Sequence, residues 1–166
     1  DKNNQNGDDH QKVIRDLENK LKKEESVVNY ILYSIAKTGM RYGEIIGLLD
    51  SDTNFEEYYL HTHKRYNTST WKWTNAKNDS SKRYVPIDNK TINILSKMIQ
   101  ERERINSTLK IKNKEKFLFF HYGLEYGIPS VATVNKALKK ILTELDIEPI
   151  ITTKGLRHTY GSYLLH

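Results

Sequence analysis

Apolar residues recur along this chain at two different spacings, and the change of spacing divides it. Val13, Ile14, Leu17 and Leu21 step by three and four residues on a heavily charged background, which predicts an amphipathic helix from about Gln11. Residues 1–10 contain no apolar residue and read as a disordered tail or linker. Ser26 is placed to cap a second helix, whose Val28, Ile31, Leu32 and Ile35 mark a buried face, and Gly39 stops it. Arg41 opens a third helix, with Ile45, Ile46, Leu48 and Leu49 as its core side.

From Phe55 the spacing shortens to that of strands. The run "FEEYYLHTHKRYNT" is rich in tyrosine and threonine, and "STWKWTNAKNDSSKRYVPI" reads as two further extended runs around the turn-forming "NDSS". This middle part predicts a small antiparallel sheet of about three strands. Helical spacing then returns. Asp88 caps a helix carrying Ile92, Leu95, Met98 and Ile99; "KFLFF" is a short buried extended segment; Ser130 caps the most regular helix, with Val134, Leu138, Ile141 and Leu145 on its inner side. Thr153 is placed to cap a last helix, "KGLRHTYGSYLLH". The expected fold class is α+β, mostly helical, with one domain over residues 11–166.

Composition narrows the function classes. The 27 lysines and arginines exceed the 21 acidic residues, a net charge of +6, which admits nucleic acid, an anionic surface or an acidic protein as partner. The chain has no cysteine, which excludes disulfides, cysteine-ligated zinc fingers and thiol catalysis. No apolar run approaches a membrane span and the polar start has no signal-peptide core, so the expectation is a soluble, cytoplasmic protein.

Two arginines stand where plain helices do not need them. Arg41 lies in "TGMRYGEIIGLL", at the seam where a helix turns apolar. Arg157 follows Lys154 by three residues, so both project from one face of the first turn of the last helix, where unpaired N–H groups favour an anion. Two readings remain open on this pattern: both side chains reach solvent or pair with an acid such as Glu44, or they wait for a phosphate.

The segments "TGMRYGEIIGL", "NAKNDSSKRYVPI" and "ITTKGLRHTYGSYLL", in this order and separated by a sheet, resemble the catalytic domain of tyrosine recombinases, the phage-integrase family. The resemblance runs from about Ser26 to the last residue, and "GLRHT" is its strongest motif. It implies that Arg41 and Arg157 clamp the scissile phosphate and that Lys77 protonates the leaving 5′-oxygen. Lys154 stands where the family most often has the histidine of His-x-x-Arg. Glu44 matches an acidic position that helps hold the site together, and His158 would be a structural partner in the core. Lys82 and Arg83, closing the hairpin, are expected to contact DNA backbone.

The chemistry implied is site-specific integration into double-stranded DNA attachment sites by transesterification, through a 3′-phosphotyrosine. Guanidiniums match the phosphoryl oxygens with paired donors and stay charged at any working pH. With two arginines and a lysine on the phosphate, no metal ion or other cofactor is required. The implied enzyme is a bacterial or phage-encoded recombinase, tetrameric on DNA at full length, the present fragment being a monomer. Its nucleophilic tyrosine is expected beyond His166, since Tyr160 and Tyr163 lie within a turn of Arg157 and read as packing residues. The alternative reading is a non-catalytic DNA-binding remnant or regulator on the same scaffold.

Other features read more plainly. His61 and His63 share one strand face, but the sequence offers no obvious third metal ligand. Trp71 and Trp73 read as a buried strand face and "KIKNKEK" as a solvated loop. The charged run Glu101 to Arg104 reads as a helix face.

Overall fold

The computed structural model describes residues 2–75 and 81–165, which form two compact units: residues 2–42 with 130–165, and residues 43–75 with 81–129. The first unit is helical: α1 (Lys2–Lys23), α2 (Val27–Thr38), α5 (Val131–Glu144) and α6 (Thr153–Leu164). Helix α1 packs on the other three, and its Val13, Ile14, Leu17 and Leu21 are buried as their spacing predicts. Burying each such side chain stabilises the fold by about 1.5–3 kcal/mol. Fully buried Tyr33 carries its hydroxyl to Glu18 (2.9 Å), so the core gains an aromatic ring without an unsatisfied donor.

Helix α1 begins earlier than expected. Residues 2–10, read from sequence as a tail, form its first turns, because His10 at their end is buried and anchored. The expected caps elsewhere are present: Ser26 Oγ accepts from Asn29 N–H (3.2 Å) and Ser130 Oγ from Thr133 N–H (3.3 Å). These bonds satisfy helix-start donors that would otherwise lack partners.

The second unit holds most of short α3 (Tyr42–Ile46), a 3₁₀ turn at Asp50–Asp52, and strands β1 (Thr53–Asn54), β2 (Tyr59–Thr62), β3 (Lys64–Asn67), β4 (Lys72–Asn75) and β5 (Arg83–Pro86). Strands β1, β2 and β5 form an antiparallel three-stranded sheet, with Leu60 opposite Val85 and His61 opposite Tyr84, but its members differ from the three runs expected: β1 precedes Phe55, and β4 is not in it. Strands β3 and β4 make a separate hairpin, so the long strand read from Phe55 divides at His63. Asp88 caps α4 (Asn89–Leu109) through Thr91 N–H (2.8 Å). The segment "KFLFF" is buried at Phe117, Leu118 and Phe119 as predicted, but it is not an extended run: Phe117 alone pairs, in an isolated bridge with Leu49, and the chain bends at Leu118 and Phe119.

Within the charged run of α4, Arg102 is a core residue and not part of a solvated face. Its side chain is 4% exposed, and it donates both terminal nitrogens to the Asp50 carboxylate (2.8 Å each) and one to the carbonyls of Phe117 and Leu118. Charge-assisted, paired bonds of this kind allow a guanidinium to be buried. Among the described residues no helix is long and apolar enough to cross a membrane.

Candidate active site

The site begins where α2 ends. Gly39 takes φ 69° and ψ 14°, and its N–H closes on Ile35 O at 2.8 Å. Glycine adopts this left-handed conformation without the penalty a side chain brings. A second constraint acts at the same residue: a Cβ there would lie 2.9 Å from ring atoms of Tyr160 on α6. With its backbone so approached, the Gly39 carbonyl accepts a hydrogen bond from Arg157 Nε at 2.7 Å. Arg41 follows two residues later, half-buried, immediately before α3.

Helix α6 is fixed at its start by an interaction that sequence spacing did not disclose. Thr152 occupies the cap position without a side-chain bond, and Asn135 Oδ1 on α5 accepts the Thr153 N–H at 2.9 Å. Thr153, expected as the cap, is instead the first helical residue and is buried. From the turn so anchored, exposed Lys154 and half-buried Arg157 line one cleft of about 850 Å³ with Thr38, Gly39 and His158. The helix start thus brings two cations and backbone donors to one opening.

His158 departs from expectation: it is exposed rather than a core partner of Arg157. Leu156 holds the buried side of α6, and two residues at about 100° each turn His158 to the opposite face. The core histidine is His10, with Nδ1 2.7 Å from Thr159 Oγ1 on α6 and Nε2 2.7 Å from Ala36 O on α2. Its ring lies 5.2 Å from that of Tyr163, and Tyr160 packs on Gly39, so both tyrosines take packing positions. Burial holds the His10 pKa below the ordinary 6.5, against an opposing pull from the Ala36 bond. The sequence did carry a signal for it, because His10 lies three, four and seven residues before Val13, Ile14 and Leu17.

In the second unit, Glu44 on α3 is 2% exposed and accepts both terminal nitrogens of Arg83, at 2.8 and 3.2 Å. Arg83, expected on DNA backbone, thus has its guanidinium engaged within the protein, and it also donates to Ser81 O (3.2 Å). Lys82 is exposed just before β5. Lys77 lies outside the described residues. Trp71 sits at the hairpin turn with φ 54°, stacked on Tyr126 at 3.9 Å, while Trp73 on β4 lies under Lys64 Nζ (3.9 Å). The two tryptophans therefore do not share a strand face.

The model of the phage integrase family matches residues 7–166. The fold resembles the crystal structure of XerA recombinase, with a TM-score of 0.60 at 17% identity over 95% of this chain and 48% of that one. It also resembles the Tn1549 transposon integrase in complex with transposon right end DNA, with a TM-score of 0.64 at 18% identity over 88% of this chain and 49% of that one. The same integrase in complex with circular intermediate DNA gives 0.61 at 19% identity, over 80% and 44%. The chain spans about half the length of these solved structures. No curated protein matches the sequence.

Two outcomes follow from the geometry. Arg83→Ala removes the bidentate partner of a buried carboxylate and should cost roughly 2–3 kcal/mol in urea unfolding, with Arg83→Lys restoring only part of it. His10 binds a proton less readily in the folded than in the unfolded chain, so stability rises with pH through the window below 6.5 and is full above it. Urea midpoints measured between about pH 7.5 and 5 should fall in the wild type and fall less in His10→Gln; parallel slopes would contradict the assignment.

Proposed function

The chain belongs to the phage integrase family, and we propose that its helical unit clamps the scissile phosphate of duplex DNA for site-specific recombination. The observation that carries this reading is the bond from Arg157 Nε to Gly39 O, which anchors one arginine to the turn that presents the other. A guanidinium held through Nε has its planar fork oriented before substrate arrives, and electrostatic catalysis depends on such preorganisation. Lys154, lining the same cleft, adds a flexible donor for a phosphoryl oxygen.

In this reading a tyrosine hydroxyl attacks phosphorus, the bond to the 5′-oxygen breaks, and the negative charge on the transferring phosphoryl group is met by Arg41, Arg157 and Lys154. The attacking hydroxyl gives up its proton to solvent, and the departing oxygen takes one from Lys77. The attacking tyrosine in this reading is neither Tyr160 nor Tyr163, which are occupied in packing, and belongs to a segment of the full-length enzyme beyond α6. Glu44 and Arg83 act one step back, as a pair that holds α3 to β5. Lys82, exposed beside that strand, approaches the DNA backbone. The full-length enzyme assembles as a tetramer on two attachment sites of a mobile element. One protein of similar fold, the Tn1549 transposon integrase, is seen in complex with transposon right end DNA and with circular intermediate DNA, which supports DNA as the partner.

Binding of the chain to duplex DNA, followed by fluorescence anisotropy across salt concentrations, tests the clamp. Arg41→Ala and Arg157→Ala should each weaken binding and reduce the slope of log affinity against log salt by about 0.9. Unchanged affinity and slope in both variants would contradict it. In a chain lengthened to the next tyrosine, Arg157→Ala should slow covalent trapping on a nicked substrate by ~10²–10³-fold. A lengthened chain that binds DNA but never traps it would instead mark a binding protein on this scaffold.

A further inference from the structure

The spacing of His61 and His63 suggests a metal pair that lacks a third ligand, and the fold supplies one. Asp52 closes the 3₁₀ turn, and its Oδ1 lies 2.9 Å from His63 Nε2. One donor atom from each of Asp52, His61 and His63 lies within 4.8 Å of the other two. The carboxylate is already oriented, because its second oxygen accepts the Leu49 N–H at 2.9 Å. The imidazoles are oriented as well. His61 stacks on His63 at 4.7 Å and on Tyr84 at 4.5 Å, its cross-strand partner on β5, and Tyr84 meets Tyr59 edge-on at 5.0 Å. Asp52 is buried and both histidines are half-buried. A cleft of about 460 Å³ opens over Asp52 and His61, with Asn54 and Glu56 on its wall.

We propose that Asp52, His61 and His63 bind a divalent transition-metal ion of the zinc class. Two imidazole nitrogens and one carboxylate oxygen are the donor set such ions prefer, whereas magnesium and calcium call for oxygen ligands throughout. Ligand atoms in a tetrahedral zinc site lie about 3.4 Å apart, so small side-chain rotations close the present spread onto one ion. In the metal-bound form each histidine presents the lone pair of one ring nitrogen and keeps its N–H on the other, and water from the cleft completes the coordination. The orienting bonds to Leu49 and the ring stack on Tyr84 supply the outer support that ligating side chains need. The ion fastens the 3₁₀ turn to β2, within the unit that also carries the Glu44–Arg83 pair. None of Arg41, Lys154 or Arg157 takes part, so the site stands or falls separately from the phosphate clamp.

Calorimetric titration of the chelator-treated chain with zinc chloride tests this. The wild type should bind one zinc ion per chain, and His121→Gln/His158→Gln should bind it equally well. His61→Phe keeps the ring between Tyr84 and His63 but removes the nitrogen; it should bind at least tenfold more weakly while melting at the wild-type temperature in chelator. Zinc at a hundredfold excess over its Kd should raise the wild-type melting temperature by roughly 5–10 °C. Failure of the wild type to bind stoichiometric zinc would overturn the proposal, as would equal affinity in His61→Phe; either result would leave the Asp52–His63 contact as a plain hydrogen bond.

Discussion

The hydrogen bond from Arg157 Nε to the Gly39 carbonyl joins residues 118 positions apart in the chain, at 2.7 Å. Gly39 must meet three demands at once to receive it. It ends α2 in a left-handed conformation, presents its carbonyl toward α6, and leaves room for the Tyr160 ring, which a Cβ would meet at 2.9 Å. Any other residue fails at least two of these. The remainder of the helical unit keeps α2 and α6 close enough for that bond to form. His10 bonds to both helices from α1, and Asn135 holds the first turn of α6 from α5.

Two of the chain's arginines do internal work of a different kind. Arg83 meets buried Glu44, and Arg102 meets Asp50 together with two backbone carbonyls. Both use the planar fork in paired bonds, a geometry lysine cannot reproduce. The formal surplus of +6 therefore misdescribes what DNA meets, because position and pairing decide which cations face outward. Lys154, exposed at the start of α6, is placed to face outward; Arg102 is not.

What was legible in the sequence was local. The caps at Ser26, Asp88 and Ser130 and the stop at Gly39 depend on residues a few positions apart, and each appears in the structure. The pattern of motifs likewise identified Arg41 and Arg157 as unusual, because an arginine at a helix seam is odd whatever surrounds it. What could not be read depends on contacts between distant segments. His10 looked like part of a polar tail, although it stands in register with Val13, Ile14 and Leu17. Asp52 could not be joined to His63 without knowing that the 3₁₀ turn comes back beside β2. Arg102 was hidden in a run of charges whose other members are ordinary surface residues. His158 was misplaced by its adjacency to Arg157, since neighbours in a helix face different ways.

The most direct test of the account is a structure of the chain bound to duplex DNA carrying its attachment site. One backbone phosphate should lie within hydrogen-bond distance of the guanidiniums of both Arg41 and Arg157, with Arg157 Nε still on the Gly39 carbonyl. Duplex bound elsewhere on the surface, with neither arginine on a phosphate, would contradict it.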